Sequence, residues 1–456
     1  MVVLGAGPAG LGVALLLARR GHAVTVLERA PAPGGLAASF EVAGVRVDHG
    51  SHRLHPSCPP EILDVLRAEL GDDLQLRRRH GRIRLAGRWV TFPPRPADLA
   101  RRLPPRVSAH LAVDAATSPF RTAQRDTFAD VVRAGLGPTM LREFYGPYVQ
   151  KIWGLPPDQL SGELARRRVG ARTPGALLRR VLDRKERARR GVFWYPRHGF
   201  GQIPEALANA ATRAGAEIVC DAEVTRLDLG DDGVRVQACD TTIDADHVWS
   251  TVPLPLIARL ADAPGDVLDA AARLEHRALT LLYLVFDVAF VSDFDASYFP
   301  GLEVCASRVS EPKRYRDGRG SDPDDRTVLC AEIPCAVGDD VWTAAPDALA
   351  SRLVTELRAQ DLAVPSPIAV DVRRVAHAYP TYRVGYETHL QTVESWVLAQ
   401  PRIVSLGRQG LFAHDNTHHT LATAWAAADA LAADGRLDPE RWAAARERFA
   451  THVVED

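Results

Sequence analysis

Apolar segments and a glycine-rich turn alternate over the first 28 residues of the chain. The segment MVVLGAGPAGLGVALLLARRGHAVTVLE begins with a short apolar run, turns through Gly5, Gly7 and Gly10, continues with a longer apolar segment and closes with a short run that ends at Glu28. Short apolar runs bounded by turn residues indicate buried strands, whereas a longer apolar segment indicates a buried helix. The pattern therefore predicts a strand, a tight turn, a helix and a second strand.

The spacing within this unit is typical of a dinucleotide-binding site. Gly5 permits the tight turn, Gly7 lets the backbone approach a pyrophosphate, and Gly10 allows the helix to pack closely on the strand. The amino end of the helix attracts the phosphates. Glu28 ends the second strand, where its carboxylate can accept hydrogen bonds from a ribose. These residues predict a Rossmann-type nucleotide site.

Strand and helix signals continue to alternate along the rest of the chain. PPEILDVLRAEL predicts a helix, and RRRHGRIRLAGRWVTFP predicts two strands with a turn at Gly87. The region 105–190 is mainly helical, whereas residues 270–395 alternate strands such as LTLLYLVFD with helices such as APDALASRLVTELRAQ. The Asp-Asp-Gly sequence at 231–233 predicts a hairpin turn. An α/β protein with two or three lobes is expected for 456 residues.

Composition narrows the class of protein further. The chain is 46% apolar and 25% charged with a formal net charge of −1, which is ordinary for a globular protein and gives no global field for nucleic acid. The six cysteines show no metal-ligand spacing and no secretory segment precedes them, so we expect reduced thiols in a cytoplasmic protein. No histidine pair has partner ligands at a convincing spacing, so no metal site is predicted.

One stretch departs from this balance of charge. Residues 166–190 carry eleven Lys or Arg residues against Asp183 and Glu186. A solvated helical face explains this composition, and so does a surface for anionic lipid or an entrance for an anionic substrate. If the stretch is a surface for anionic lipid, it should make peripheral contact with a membrane.

The residues after the nucleotide fingerprint resemble a known superfamily. ERAPAPGGLAASF contains Arg29, Gly34 and Gly35, and the segment VRVDHGSH follows it. Together they resemble the amino-terminal signature of the FAD-containing amine oxidase superfamily, which includes protoporphyrinogen oxidases, carotenoid desaturases and UDP-galactopyranose mutases. The resemblance implies FAD as the cofactor, the paired glycines beside its pyrophosphate and ribityl chain, and His52 beside the isoalloxazine ring.

The same resemblance implies how the chain is divided into domains. A discontinuous FAD-binding domain would comprise 1–60, 191–265 and 396–440, with Val224 beside the adenine. A sheet-based substrate domain would comprise 75–104 and 266–395, and 105–190 would form a helical subdomain. The strand RIVSLG would return to the parallel sheet of the FAD domain.

The closing segment GRQGLFAHDNTHHTLATAWAAAD is expected to complete the flavin site. Gly407 would end the last strand there, and Arg408 would hold the flavin or an internal carboxylate. The helix LATAWAAADALAA, beginning at Leu421, would point its amino end at the reduced flavin and stabilise its negative charge. His418 and His419 would lie on the turn before this helix and border the cavity.

Three further segments resemble narrower branches of the superfamily. FYGPYVQKIWGLPPDQLS resembles protoporphyrinogen-oxidase-like proteins, whereas AYPTYRVGYETHL and GRQGLFAHDNTHHT resemble both these and the eukaryotic UDP-galactopyranose mutases. The mutases carry an arginine for the nucleotide diphosphate where this chain has Trp194, and Arg308 is only a loose match to their second arginine. Losing such a donor weakens diphosphate binding by about 1.5–3 kcal/mol per hydrogen bond.

These features favour an FAD-dependent oxidoreductase that oxidises a C–H bond of a small sugar-related or other natural-product substrate. A flavin-dependent nucleotide-sugar mutase and a flavin-retaining scaffold without turnover are the alternatives. A sugar nucleotide or a glycolipid is the expected small-molecule partner, and the oligomeric state stays open. The predicted catalytic residues are His52, Tyr382 and His419. The predicted substrate-facing residues are Trp194, Tyr195, Arg308 and Asn416.

Overall fold

The computed structural model describes residues 1–93, 96–118, 121, 126–169, 191–317, 322–432 and 437–454. The strands are Val2–Leu4, Thr25–Leu27, Ser39–Val42, Val45–Asp48, Leu74–Arg78, Gly81–Leu85, Arg88–Phe92, Val192–Pro196, Glu217–Val219, Val224–Leu229, Val234–Ala238, Thr241–Ala245, Val248–Ser250, His276–Phe286, Ala296–Tyr298, Arg308–Ser310, Thr327–Cys335, Ala369–Pro380 and Ile403–Ser405.

The helices alternate with these strands along the chain. The α-helices are Pro8–Arg19, Pro60–Leu70, Pro96–Arg102, Pro105–Thr117, Phe128–Gly135, Pro138–Met140, Gly146–Trp153, Gly162–Val169, Gln202–Arg213, Leu254–Leu260, Gly265–Ala272, Asp340–Thr343, Pro346–Arg358, Tyr386–Leu398, Gly407–Gly410, Thr417–Asp429 and Pro439–Phe449. A π-helix covers Leu141–Tyr145, and 3-10 turns cover Gly35–Ala37, Gly71–Asp73 and Pro312–Tyr315. None of the described helices is long and apolar enough to cross a membrane.

A five-stranded parallel sheet brings distant parts of the chain together. Its strand order is 403–405, 248–250, 2–4, 25–27 and 217–219, and every neighbouring pair is parallel. The predicted first strand, turn, helix and second strand all form, and the predicted closing strand is at one edge. The helix 8–19 packs against both 202–213 and 417–429, and these helices bury the apolar core of the sheet.

A seven-stranded mixed sheet forms the other large layer. Its strand order is 369–380, 276–286, 327–335, 308–310, 296–298, 81–85 and 88–92. The strand Thr327–Cys335 is buried along its whole length because the sheet is covered on both faces there. The predicted strand pair with a turn at Gly87 is its edge hairpin.

Other expectations can be compared directly with the described residues. The hairpin at 231–233 joins the antiparallel strands Val224–Leu229 and Val234–Ala238. Helices fill most of 105–169, whereas 170–190 lies outside the described residues, and with it most of the basic stretch for which membrane contact was predicted. The six cysteines are free thiols, as the sequence predicted. The domain boundaries themselves stay a prediction.

Candidate active site

A cavity of about 420 Å³ has walls from both large sheets. Leu4 and Leu27, from two strands of the parallel sheet, line one side, and Leu279 and Glu332 of the seven-stranded sheet line another. The turn after the first strand, the segment 49–53 and the closing segment 407–417 complete the described wall. The two ends of the chain therefore meet at one site.

The amino-terminal turn forms one end of this cavity. Gly5 has a φ of +94°, a left-handed conformation that favours glycine, and Gly7 caps the helix Pro8–Arg19 at its amino end. Glu28 is held by two backbone donors, because its Oε2 accepts from the Ala6 N–H at 2.7 Å and its Oε1 accepts from the Ala30 N–H at 2.9 Å. Its carboxylate is thereby fixed at the end of the second strand.

Asp48 fixes the start of the segment that crosses the cavity. It is fully buried, and its Oδ1 accepts from the Ser39 hydroxyl at 2.6 Å and from the Phe200 N–H at 2.9 Å. Its Oδ2 accepts from the Tyr195 hydroxyl at 2.6 Å. A buried carboxylate is stable only when its oxygens are hydrogen-bonded, so these contacts lock the backbone that leads to His52.

Glu332 fixes the same segment from the opposite sheet. Its side chain accepts from two nitrogens of Arg308, from Nε at 2.9 Å to Oε1 and from Nη2 at 2.7 Å to Oε1 and 2.9 Å to Oε2. Its Oε1 also accepts from the Ser51 N–H at 2.8 Å. A Cβ on Gly50, whose φ is +93°, would lie only 3.3 Å from that oxygen. The bidentate pair thus ties the seven-stranded sheet to the turn.

His52 lines the cavity between these two anchors. Its ring stacks on Phe200 with centroids 5.3 Å apart, and its Nε2 lies 3.0 Å from the carbonyl oxygen of His49. Burial lowers the pKa of His52, an effect that the charge of Asp48 opposes. The ring is therefore held neutral in a fixed orientation.

The closing segment supplies the remaining wall. Gly407 has a φ of +75°, and its N–H donates to Thr423 Oγ1 at 3.0 Å. Arg408 donates to the carbonyl oxygen of Ala378 at 2.7 Å and to that of Asp415 at 3.2 Å. The cavity therefore receives a glycine turn from each end of the chain.

The model of one protein family spans nearly all of this chain. The family is described as flavin containing amine oxidoreductase, and its model matches residues 8–434. The chain belongs to this family. The family confirms the resemblance seen in the amino-terminal signature, and it makes FAD the cofactor of this protein.

Individual curated proteins are similar in sequence to part of this chain. A phytoene dehydrogenase of Streptomyces griseus is 29% identical over 294 residues, covering 57% of this chain and 55% of that protein. A putative flavin-containing monoamine oxidase of Mycobacterium tuberculosis is 29% identical over 267 residues and covers 56% of each. The chain thus spans about half the length of the curated relatives it matches.

Solved structures share the fold over almost the whole chain. A reduced UDP-galactopyranose mutase has a TM-score of 0.82 at 21% identity and covers 99% of both chains. A putative protoporphyrinogen oxidase from Exiguobacterium has a TM-score of 0.73 at 19% identity and covers 98% of both. Putrescine oxidase has a TM-score of 0.65 at 16% identity and covers 94% of this chain. The predicted α/β fold class with a Rossmann-type FAD-binding domain is confirmed.

The described residues fit an FAD molecule. A Cβ on Gly7 would meet no described atom within 4 Å, so this position leaves open space beside the helix amino end where the phosphates are expected. Gly10 does not line the cavity, but a Cβ there would overlap the carbonyl oxygen of Gly5, which is the close packing that the fingerprint predicts. Gly34, with a φ of +131°, also stays off the wall and donates its N–H to Ala6. The predicted positions that line the cavity are Gly5, Gly7, Glu28, Arg29, Gly35, His52, Val224, Arg308, Gly407, Arg408 and Asn416.

The structure places Tyr382 away from the described wall of the cavity. This tyrosine is 1% exposed, lies outside the described cavity wall and donates its hydroxyl to the carbonyl oxygen of Phe412 at 2.8 Å. Its ring stacks on Tyr386 with centroids 4.1 Å apart. Tyr379, the last residue but one of the strand 369–380, lines the cavity instead. The ring of Tyr382 therefore packs against other aromatic side chains behind the wall.

Two predicted substrate contacts are also absent from the described wall. Trp194 packs beneath Arg67, whose Cζ lies 5.0 Å from a ring centroid, and pairs across two strands with Leu76. Tyr195 is completely buried and donates its hydroxyl to Asp48. Burial raises the pKa of this hydroxyl well above the ordinary value. Both belong to the strand 192–196, where Tyr195 lies in the core and the partly buried Trp194 packs against it.

The helix of the closing segment starts earlier than the sequence predicted. It begins at Thr417, with Asn416 as its N-cap, so His418 and His419 lie in its first turn. His419 accepts from the Asn416 N–H at 3.4 Å through Nδ1 and completes a capping box. His418 packs 5.5 Å from the ring of His55.

Among the described residues of the cavity wall, neither His418 nor His419 occurs, and Leu421 is buried in the core beside Gly12. The structure therefore does not bring these three side chains to the cavity, and their contacts with cofactor and substrate stay a prediction. The capping box uses the ring of His419, and one full turn of helix separates Leu421 from the N-cap.

Sequence reasoning missed several residues of the described wall. Glu332 is the one acidic residue in the apolar strand TVLCAEIPC, and such an isolated charge is a signal that could have been read. Asp415, Arg168 and His414 also line the cavity. Burial and nearby arginines lower the pKa of His414 well below its ordinary value. No spacing in the sequence indicates their approach to the site.

Three groups capable of binding a metal lie together at this wall, with Asp415 on the described lining and His419 and His452 behind it. Asp415, His419 and His452 each offer a ligand atom within 4.8 Å of the others. His452 Nδ1 lies 3.1 Å from Asp415 Oδ1, and Nδ1 of His419 already accepts the capping hydrogen bond. Hydrogen bonding accounts for these contacts, and the absence of a metal site stays a prediction.

Proposed function

We propose that the protein oxidises a C–H bond of a small sugar-related or other natural-product substrate by hydride transfer to FAD. The observation that supports this function best is the convergence of the nucleotide turn, the segment 49–53 and the closing segment on one cavity. When bound, FAD supplies the redox chemistry by accepting the hydride at its N5 atom. The chain binds the substrate, orients it and excludes water.

His52 is the proposed proton acceptor. Because the carbonyl oxygen of His49 can only accept, the 3.0 Å contact assigns the ring proton to Nε2 and leaves a lone pair on Nδ1. The lowered pKa of His52 keeps this lone pair free. A CH–OH or CH–NH group would lose hydride from carbon and its heteroatom proton to Nδ1, giving a C=O or C=N product. Dioxygen or another acceptor would then take the two electrons.

A nucleotide-sugar mutase is the second candidate, and the fold shared with the reduced UDP-galactopyranose mutase favours it. Two contacts argue against it. Arg308 is neutralised by its bidentate pair with Glu332, and a partly buried tryptophan, Trp194, packs against the core where the mutases carry an arginine. A nucleotide diphosphate would have to replace Glu332 as the partner of Arg308, at the cost of the anchor at Ser51.

Anaerobic titration of the oxidised yellow protein distinguishes these functions. Amines, alcohols, amino sugars and nucleotide sugars are added separately, and flavin absorbance is recorded together with product analysis. We expect one of them to bleach the flavin without added reductant. Conversion of a nucleotide sugar only after dithionite reduction, with the flavin returned unchanged, would establish the mutase instead. Bound FAD that responds to neither treatment would indicate a flavin-retaining scaffold.

A further inference from the structure

A second cavity of about 310 Å³ adjoins the proposed active site. Its described wall is mainly apolar and comes from the edge hairpin 81–92 and the helices 105–117 and 146–153. Representative lining residues are Ile83, Leu85, Leu103, Leu111, Phe144 and Val149. A volume with walls of this kind is poorly hydrated and favours hydrocarbon over polar groups.

The two cavities share part of their walls. Tyr148, Arg168, Tyr298, Ser307 and Val454 line both of them. A molecule that occupies both would therefore pass these residues. Its apolar part would lie in the second cavity and its reacting part beside His52, with the boundary between them near Arg168.

Within the part of the chain that the structure describes, positive charge is in excess close to this boundary. Arg168 and Arg408 flank one aromatic side chain, since each Cζ lies 5.5 Å from the ring centroid of Tyr379. Among the described residues, no carboxylate lies within ion-pair distance of either guanidinium. Asp415 on the same wall is the available counter-charge, and it leaves an excess of one positive charge. A half-buried guanidinium in this setting favours an anionic ligand.

Four other arginines line the described wall of the first cavity, namely Arg29, Arg53, Arg79 and Arg308, and two of them are held in ion pairs. Arg53 pairs with the buried carboxylate of Asp295 at 3.1 Å, and Arg308 pairs with Glu332. Their charges are satisfied within the protein and serve the fold. Of the arginines on the described wall, Arg168 alone lines both cavities, and Arg408 flanks the same tyrosine, so this pair is best placed to select an anion at the boundary.

We infer that the substrate is an anionic amphiphile. Its phosphate or carboxylate group binds at Arg168 and Arg408, and its hydrocarbon chain fills the second cavity. This inference rests on the oxidoreductase function proposed above and narrows its substrate class. Each methylene buried in the second cavity should strengthen binding about fourfold.

The test uses the FAD-loaded protein and a series of butyl, octyl and dodecyl phosphates below their micelle concentrations. Dissociation constants come from calorimetry and from perturbation of the flavin spectrum. We expect affinity to rise with chain length by about fourfold per methylene until the cavity is full. Dodecanoate tests whether a carboxylate replaces the phosphate. Dodecyltrimethylammonium, with the same chain and the opposite charge, should bind at least about tenfold more weakly than dodecyl phosphate.

Two substitutions on one helix provide a matched pair. Leu111→Trp fills the second cavity, whereas Val113→Trp adds the same side chain at a position of the helix Pro105–Thr117 that is 59% exposed. We expect Leu111→Trp to weaken dodecyl phosphate at least about tenfold and leave butyl phosphate unchanged. Val113→Trp should change neither. Arg168→Gln should weaken every phosphate of the series by a similar factor and keep the chain-length dependence.

The outcomes separate this inference from the proposed function. Equal affinity for all chain lengths, or equal binding of the ammonium amphiphile, would overturn the inference even if small substrates bleach the flavin. Chain-length-dependent phosphate binding without bleaching by any substrate would overturn the oxidoreductase function and leave the binding site standing. If Leu111→Trp loses FAD or has a lower melting temperature, Arg168→Gln and the ligand series still test whether the site binds an anionic amphiphile.

Discussion

Individual glycines of the amino-terminal turn meet different surroundings. A Cβ on Gly10 would overlap the carbonyl oxygen of Gly5, whereas one on Gly7 meets no described atom within 4 Å. We expect Gly10→Ala to destabilise the fold by about 1–3 kcal/mol or more. Gly7→Ala should fold normally and bind FAD at least about tenfold more weakly, because its methyl group would face the pyrophosphate. Thermal melting of the apoprotein and fluorescence titration with FAD measure the two effects.

Gly265→Ala is the control for these substitutions, because a Cβ there also meets no described atom within 4 Å and Gly265 begins a helix outside the cavity wall. If Gly7→Ala bound FAD as tightly as this control, the pyrophosphate would have to lie elsewhere.

His52 gives the reaction a predicted pH dependence. Burial lowers its pKa below the ordinary value of about 6.5, so the base stays unprotonated down to more acidic pH. Once a substrate is known, we expect the rate of anaerobic flavin reduction to fall at low pH with a midpoint below about 6.5. His52→Gln should slow reduction by about 10²- to 10⁴-fold and abolish this acid limb. The exposed His110→Gln is the control and should keep the acid limb of the pH–rate profile. If His52→Gln kept the same limb as this control, His52 would be excluded as the base.

At the scale of elements, the helix Thr417–Asp429 offers a test in which stability and redox potential respond differently. Asn416→Ala removes the N-cap and should cost about 1 kcal/mol of stability. Asn416→Asp keeps a good cap but adds negative charge where the helix should stabilise the reduced flavin. We expect Asn416→Asp to retain the melting temperature and lower the flavin midpoint potential by about 30 mV, corresponding to about 1.4 kcal/mol for two electrons.

A potential unaffected by Asn416→Asp would show that this helix end does not act on the flavin. Dye-coupled reductive titration measures the potential, and Ser395→Asp on the exposed face of the helix Tyr386–Leu398 controls for a general effect of added charge.

Elements with a strong local pattern could be predicted from the sequence, and those set by distant contacts could not. The first strand, turn, helix and second strand follow from apolar runs and glycines within 28 residues. The start of the closing helix was misplaced at Leu421 because THHT carries no apolar period, whereas a capping box between Asn416 and His419 starts it at Thr417. Tyr379 and Tyr382 differ in position because Tyr379, one residue before the end of a strand, lines the wall, whereas Tyr382 packs behind it.

At the scale of the whole molecule, the site depends on contacts between remote parts of the chain. Glu332 accepts from the Ser51 N–H across 281 positions of sequence, and the Tyr195 hydroxyl donates to Asp48 across 147 positions. No local pattern encodes these pairs, so the sequence alone could assign the flavin end through its glycines but not the polar anchors of the substrate end. The apolar cavity could not be predicted for the same reason, because its walls come from segments that are far apart in the sequence.

Buried neutral histidines should make the whole fold sensitive to acid. Burial lowers the pKa of His276 to about 3 and the pKa of His414 well below its ordinary value. Unfolded rings titrate near 6.5, so below that pH the unfolded chain binds protons that the folded chain does not, and stability falls as pH falls. We expect urea titrations to show a loss approaching about 1.4 kcal/mol per pH unit for each such histidine below about pH 6. His276→Gln should reduce this slope and the exposed His110→Gln should not; equal slopes in both variants would contradict the assignment.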